Sequence, residues 1–327
     1  MPDKNYQLQQ VQIGKESTWG TAVAQTRELS VTSFELTPEQ EIKKRMSLGK
    51  RTPTKANIIK TGGSATSEHD ATYGEAAVIF DSLFGTATPS GAGPYTRTYA
   101  APEGSNPTRS FYTLALGDSN NVKSLLGALA SKLVISASPS DGVTFAVDWV
   151  GKVIADDTLD SVAADTNHVD ILPQHLAISL GSLGGSLTAL GCDAISMELE
   201  IDTATTVRNG LGSVSGCDYN YGNELAIKLT ITATGDNAVI EPLYEAHLGT
   251  SPSVSYQDVK VQFTESANND LLLEMPMFLD EPPTLFEDED GVAAVTLVFM
   301  AFSDNSGTSF AATACDVTII NQEATLP

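Results

Sequence analysis

The chain has 327 residues with 41 acidic and 18 basic side chains, a net charge of −23 and an isoelectric point near 4.3. Such a charge favours solubility and argues against a surface that grips nucleic acid, which needs clustered Lys and Arg. Three cysteines (Cys192, Cys217, Cys315) are too few and of the wrong parity for a disulfide scaffold, and there is no Cys-x-x-Cys pair to suggest zinc.

The thiols are expected to serve as small core residues. No apolar run approaches the length that spans a bilayer, so no membrane partner is expected. Residues 1–10 are polar and lack the apolar core of a signal peptide, which points to a cytoplasmic start.

Residues 1–30 show little periodicity, and Gly14-Lys-Glu-Ser-Thr-Trp-Gly-Thr21 reads as a loop or arm. Residues 32–36 alternate as a strand that Pro38 should stop. Residues 39–60 then form a long loop or extended hairpin. It carries Lys43, Lys44, Arg45, Lys50, Arg51, Lys55 and Lys60, seven of the 18 basic residues. Residues 62–71 lead into a helix over residues 73–85. Its apolar positions Ala76, Ile79, Phe80, Leu83 and Phe84 recur at helical spacing, and Gly85 suits the residue past a helix end.

Strand candidates follow at residues 95–99, 110–116, 122–128 and 132–137, with Asp118-Ser-Asn-Asn121 as a turn. Residues 143–150 alternate cleanly, with Val143, Phe145, Val147 and Trp149 on one face. The Asp-, Ala- and Thr-rich residues 156–170 read as a linker.

The second half repeats the order of the first. Gly249 lies 164 positions after Gly85, and at that offset Leu243 falls on Ile79, Tyr244 on Phe80 and Leu248 on Phe84. Ser196-Met-Glu-Leu199 matches Ser33-Phe-Glu-Leu36, and residues 292–299 match residues 142–150. Residues 259–263 match residues 111–115, and Asn268-Asn269 matches Asn120-Asn121. Each repeat is several strands, one helix and more strands. The expected fold is mainly β: two tandem barrel or sandwich units, each flanked by one helix. Their spans are residues 1–155 and 171–305, with the linker between them and a C-terminal extension over residues 306–327.

Catalytic and metal signatures are missing. The four histidines, His69, His168, His175 and His247, have no metal-ligand spacing. There is no Gly-x-Ser-x-Gly and no phosphate loop. The acids Glu287, Asp288, Glu289 and Asp290 lack the spaced ligands and closing Glu of a calcium loop and read as an acidic turn. No enzyme activity and no cofactor is expected.

These features together resemble the major tail tube proteins of long-tailed, non-contractile bacteriophages. The residues that carry the resemblance are Gly14 to Thr21, the basic loop with Lys50-Arg51-Thr52-Pro53, Gly62-Gly63-Ser64 and the helix with its Leu-Phe-Gly close. Ser140-Asp-Gly142 ahead of residues 143–151 completes the set. They cover nearly all of the first half, and the second half joins through the repeat. The resemblance implies a structural virion protein of the tail, assembled in the bacterial host cytoplasm. It also implies that six units close a ring whose inner strands form one lumen for the genome. A chain of two units would then close the ring as a trimer, and rings would stack head to tail. The implied partners are other copies of the chain, tape-measure, tail-terminator and distal-tail proteins, and DNA that passes without specific binding. A β-sandwich adhesin or capsid decoration protein, or the equivalent tube of a tailocin or gene-transfer particle, is the alternative.

Two further expectations follow. Lumen-facing strands should carry more Asp and Glu than Lys and Arg, because phosphates are held wherever cations are presented. The basic residues Lys43, Lys44, Arg45, Lys50, Arg51 and Lys55 should reach acids of an adjacent ring, Glu287, Asp288, Glu289 and Asp290 among them. The second half has only Arg208 in the matching stretch, residues 202–221.

Overall fold

A computed structural model describes residues 9–104, 106–118, 121–162, 169–222, 224–246, 254–289, 291–304, 307–309 and 311–327, except the side chains of residues 286, 287 and 289. The first half supplies β1 (Gln10–Lys15), β2 (Arg27–Leu29), β3 (Val31–Arg45), β4 (Lys55–Asp70), β5 (Tyr95–Ala100), β6 (Tyr112–Asp118), β7 (Asn121–Ser138), β8 (Gly142–Gly151) and β9 (Val153–Asp157). Helix α1 (Tyr73–Leu83) lies between β4 and β5. The second half supplies β10 (Leu176–Ser182), β11 (Thr188–Ala189), β12 (Ala194–Asp202), β13 (Thr206–Arg208), β14 (Asp218–Asn220) and β15 (Ala226–Thr234). It continues with β16 (Tyr256–Ser266), β17 (Asn269–Leu279), β18 (Thr284–Glu289), β19 (Val292–Ala301) and β20 (Asp316–Asn321); α2 (Glu241–Glu245) precedes β16. The protein is mainly β, and among the described residues no helix is long and apolar enough to cross a membrane.

Every pairing is antiparallel, and one pairing order occurs twice. In the first half it runs β3–β4–β8–β7–β6–β1–β2. In the second it runs β12–β15–β19–β17–β16–β10–β11. In both halves the helix follows the second strand of this order. The two runs join where β12 pairs with β7, from Met197↔Ala137 to Asp202↔Lys132.

Local sequence explains most of the elements. Alternation puts Val143, Phe145, Val147 and Trp149 of β8 inside, all 4% exposed or less. Thr72 caps α1 by accepting a hydrogen bond from the Glu75 backbone N–H, and Gly85 beyond the helix end has φ 121°. The two expected strands over residues 122–137 are one bent strand, β7, which turns at Gly127 (φ 65°). In the second half Pro282 and Pro283 split the equivalent strand into β17 and β18, because proline cannot donate to a ladder.

Four expectations need correction. β3 does not stop at Pro38: it runs to Arg45, with Pro38 opposite Gly63. Among the described residues its only partner is β4, so a missing N–H on this edge strand is tolerated. The N-terminal segment is not loop throughout. Four consecutive residues of β1, Val11 to Gly14, are buried between β2 and β6, so no alternation betrays the strand. The helix of the second half has only five residues, and Leu248 and His247 lie outside the described residues. Cys192 and Cys217 are exposed, and only Cys315 is a core residue. In addition, β9 pairs with β7 and crosses residue 155, and β20 of the C-terminal segment pairs with both β17 and β5.

Candidate assembly surfaces

The strands β3–β4–β8–β7–β12–β15–β19–β18 form one continuous sheet of eight. Its apolar side faces the core, and register decides what the other side presents. One cross-strand row there reads Glu35, Thr66, Asp148, Lys132, Asp202. The next reads Glu68, Ala146, Val134, Glu200, Lys228, Met300. A third reads Asp70, Thr144, Ser136, Glu198, Thr230, Val298. Seven acids thus stand against two lysines. Both lysines are engaged, Lys132 with Glu200 at 3.0 Å and Lys228 with Glu281 at 2.7 Å. Those hydrogen bonds raise both lysine pKa values, so the ammonium forms persist at neutral pH. Across these three rows the face is net acidic, and both of their lysines are paired with carboxylates.

The sheet ends on two open edges, β3 and β18. Among the described residues each has one paired neighbour, β4 and β19 respectively. Leu36 on β3 and Leu285 on β18 are half-buried. The residues in the equivalent places at the β7–β12 junction, Leu199 and Ile135, are paired with each other and fully buried.

β3 and β4 continue past the body of the molecule as a hairpin paired to Arg45↔Lys55. Lys43, Lys44, Arg45, Lys50, Arg51 and Lys55 are all exposed on it, and none makes an ion pair among the described residues. Exposed apolar residues, Ile42, Met46, Leu48, Ile58 and Ile59, share the hairpin. Of the acidic turn, Asp288 is exposed and accepts a hydrogen bond from the Gly291 backbone N–H at 2.8 Å. The side chains of Glu287 and Glu289, and the whole of Asp290, lie outside the described residues.

The expected helix-core residues are buried: Ile79 and Phe80 on α1, Phe84 at its C-terminal cap, and Leu243 and Tyr244 on α2. α1 is buried on nearly every side, not on one face, because β5, β7, β17 and β20 surround it. Its two carboxylates are therefore satisfied internally. Asp81 accepts hydrogen bonds from Lys15, Ser110, Tyr99 and the Ala87 backbone N–H. Glu75 lies 3.5 Å from buried His69.

Two clusters escaped sequence reasoning. In the Gly14–Thr21 stretch, Glu16 is buried and accepts from Gly20 N, Gly127 N and Thr113 Oγ1, while Trp19 donates to Gly127 O. The motif fastens the N-terminal segment to the bend of β7. Arg109 is also buried. It donates to the carbonyls of Ser82 and Ala130 and to Thr205 Oγ1, and its guanidinium lies 5.3 Å from the Tyr221 ring centre. Burial pulls its pKa down to about 10, still high enough to keep it charged at neutral pH. The Gly14–Thr21 stretch was marked only by the resemblance and Arg109 by no sequence signal, since both clusters depend on contacts far apart in the chain. Among the described residues, no group of three or more His, Cys, Asp or Glu is placed to hold a metal ion.

Residues 7–308 match a family model described as phage tail tube protein. No curated protein matches the chain.

Proposed function

The chain belongs to the phage tail tube protein family, a structural component of the virion tail, and from that premise we propose that three copies close into a ring that encloses an acidic channel for the genome. The observation that carries this is the eight-stranded sheet with two open edges. An unpaired sheet edge is a template for another strand. Within the chain, β7 and β12 are already joined in the way that β18 of one copy would join β3 of the next. The repeated pairing order supports two tandem units, the first ending with β9 and the second beginning at β10. Six units then make a complete ring from three chains.

Size is consistent with this. Three copies of the eight-stranded sheet give twenty-four strands. At a strand spacing of about 4.8 Å and a tilt of about 40°, they close into a barrel on the order of 50 Å across. After side chains narrow it, room for a nucleic-acid duplex remains. The polar face described above would line the bore, where its acids repel phosphates and keep the duplex from sticking. In the register of the internal junction, Leu285 of one copy faces Leu36 of the next, and both become core.

Rings would stack into a tube through a heterologous contact, which propagates without closing. The basic hairpin suits this role, with acids such as Asp288 on the adjacent ring as its partners. Glu281 is less available, being tied to Lys228. The tape-measure, tail-terminator and distal-tail proteins would be the further partners, in a tail of the long non-contractile type. Imaging of the purified protein by electron microscopy tests the reading. Annuli or tubes with three chains per ring are expected, with a net acidic bore. Separate particles, or a net basic bore, would overturn it.

A further inference from the structure

The stretch between β12 and β15 does not project as a hairpin. It folds back on the first half and covers it. Thr203 donates both its backbone N–H and its hydroxyl to Ser131 O, and Thr205 and Tyr221 cap the Arg109 guanidinium. Tyr219 packs on Trp19, with ring centres 5.8 Å apart. The polar Arg109 site is therefore closed from within the chain.

The repeated pairing order locates the same site on the second half. Leu129 pairs with Val150, and Phe278 pairs with Met300 in the matching position of the other ladder. The residues just before them, Ala128 and Met277, face Tyr112 and Gln257. This ladder register replaces the match of residues 259–263 with residues 111–115 expected from the sequence, and counting three residues back from Tyr112 and Gln257 sets Val254 where Arg109 stands. Among the described residues nothing covers the site. Val254 and Tyr256 are 53% and 51% exposed, and Tyr256, Phe278 and Phe302 form an aromatic trio with ring centres 5.2 to 6.3 Å apart. A clustered apolar patch left open to water is a docking feature.

The same counting identifies the missing cover. Leu199 of β12 and Leu36 of β3 hold equivalent places, so Thr205 corresponds to Ile42. Leu229 of β15 and Ala65 of β4 are likewise equivalent, so Tyr221 and Gly222 correspond to Asn57 and Ile58. Ile42 and Ile58 pair with each other across the hairpin base, and they are 51% and 48% exposed. Between the two sites the chemistry changes on both sides together. Arg109 becomes Val254, and its partner Thr205 becomes Ile42. A polar junction closed within the chain has an apolar counterpart whose two faces are both exposed.

We propose that the Tyr256–Phe278–Phe302 patch, with Val254, is the seat for the base of the β3–β4 hairpin of the neighbouring copy in the same ring, with Ile42 and Ile58 lying on the aromatic rings. This rests on the ring reading and assigns the hairpin two tasks. Its base seals the joint inside a ring, and its basic tip, beyond Ile42, is left to reach the next ring.

The test is a cross-link between two chains that each carry one exposed cysteine, the native Cys315 being buried. Ile58→Cys is made in one chain and Tyr256→Cys in a second chain of different length, both with Cys192→Ser and Cys217→Ser. Both sites are exposed, so the fold of each chain is undisturbed. Mixed, assembled and mildly oxidised, they are expected to give a covalent dimer of unlike chains. The dimer should form in isolated rings and vanish when assembly is prevented. Rings without the cross-link would overturn the proposal while leaving the ring reading intact. A cross-link confined to stacked tubes and absent from single rings would place the occupant in the adjacent ring and also overturn it. If the parent protein forms no rings at all, the ring reading fails and this proposal with it.

Discussion

Leu285→Asp should abolish ring closure and leave the single chain folded. Leu285 sits half-buried on the open edge β18, so in the isolated chain an aspartate there stays in contact with water. The cost to the fold should be under about 1 kcal/mol. At the proposed joint the same side chain would be sealed, as its counterpart Ile135 is at 0% exposure. Closing the joint loses the remaining burial of a leucine, about 1 kcal/mol. It also buries a carboxylate without a partner, which costs about 3 kcal/mol or more. About 4 kcal/mol per joint is roughly a thousandfold in association, and a three-copy ring has the joint three times. Sedimentation velocity measures assembly, and urea unfolding followed by circular dichroism measures the single chain. Ile135→Asp is the internal control: it should destabilise the single chain by several kcal/mol, because that joint is already closed within it. A Leu285→Asp protein that assembles at parental concentrations would refute the assignment of β18 as an interface strand.

Other outcomes follow from the same structure. Replacing Lys43, Lys44, Arg45, Lys50 and Arg51 with Ser should impair stacking of rings into tubes. Each exposed pair contributes on the order of 1 kcal/mol or less, and the parental tube should itself weaken with salt; stacking unchanged at low and high salt would give the hairpin tip another role. Phe80→Asp should lower stability by several kcal/mol in urea unfolding, since Phe80 is 0% exposed among apolar neighbours. Glu274 has its pKa raised, by desolvation first, which outweighs the opposing pull of Lys260, with Asp316 and Asp258 adding to it. A carboxyl raised in the folded state binds more protons there than when unfolded, so its contribution to stability falls as pH rises above the ordinary carboxylate range. Glu274→Gln should therefore stabilise the protein at neutral pH, with the advantage shrinking toward acid pH in thermal melts at several pH values.

Much of the fold was legible because it is locally encoded. The 3.6-residue spacing of Ala76, Ile79, Phe80 and Leu83, with a cap at Thr72 and a glycine at 85, specifies α1 without reference to anything distant. The strict alternation of β8 and β15 fixes which side of the sheet is core. The duplication was visible because both halves keep the same order of such signals. Charge composition, likewise a property of the chain alone, is the ground for expecting a surface that does not hold nucleic acid.

What stayed hidden depends on which strands lie side by side. Four consecutive buried residues made β1 look featureless until β2 and β6 enclosed it. Pro38 looked like a stop because its tolerance comes from the missing neighbour on that side of β3. Cys192 and Cys217 have nothing in their sequence surroundings to distinguish them from buried Cys315. Arg109 finds its partners in Ser82, Ala130 and Thr205, and the acids of the polar face come from four different strands. Local propensity and periodicity are properties of a stretch of chain, and the sequence by itself determined those: the mainly β character, the helix, the repeat and the acidity. Strand neighbours, open edges and the closing of one half over the other are set by non-local pairing. Only the tertiary structure decided those, because exposure exists only once every strand has taken its place.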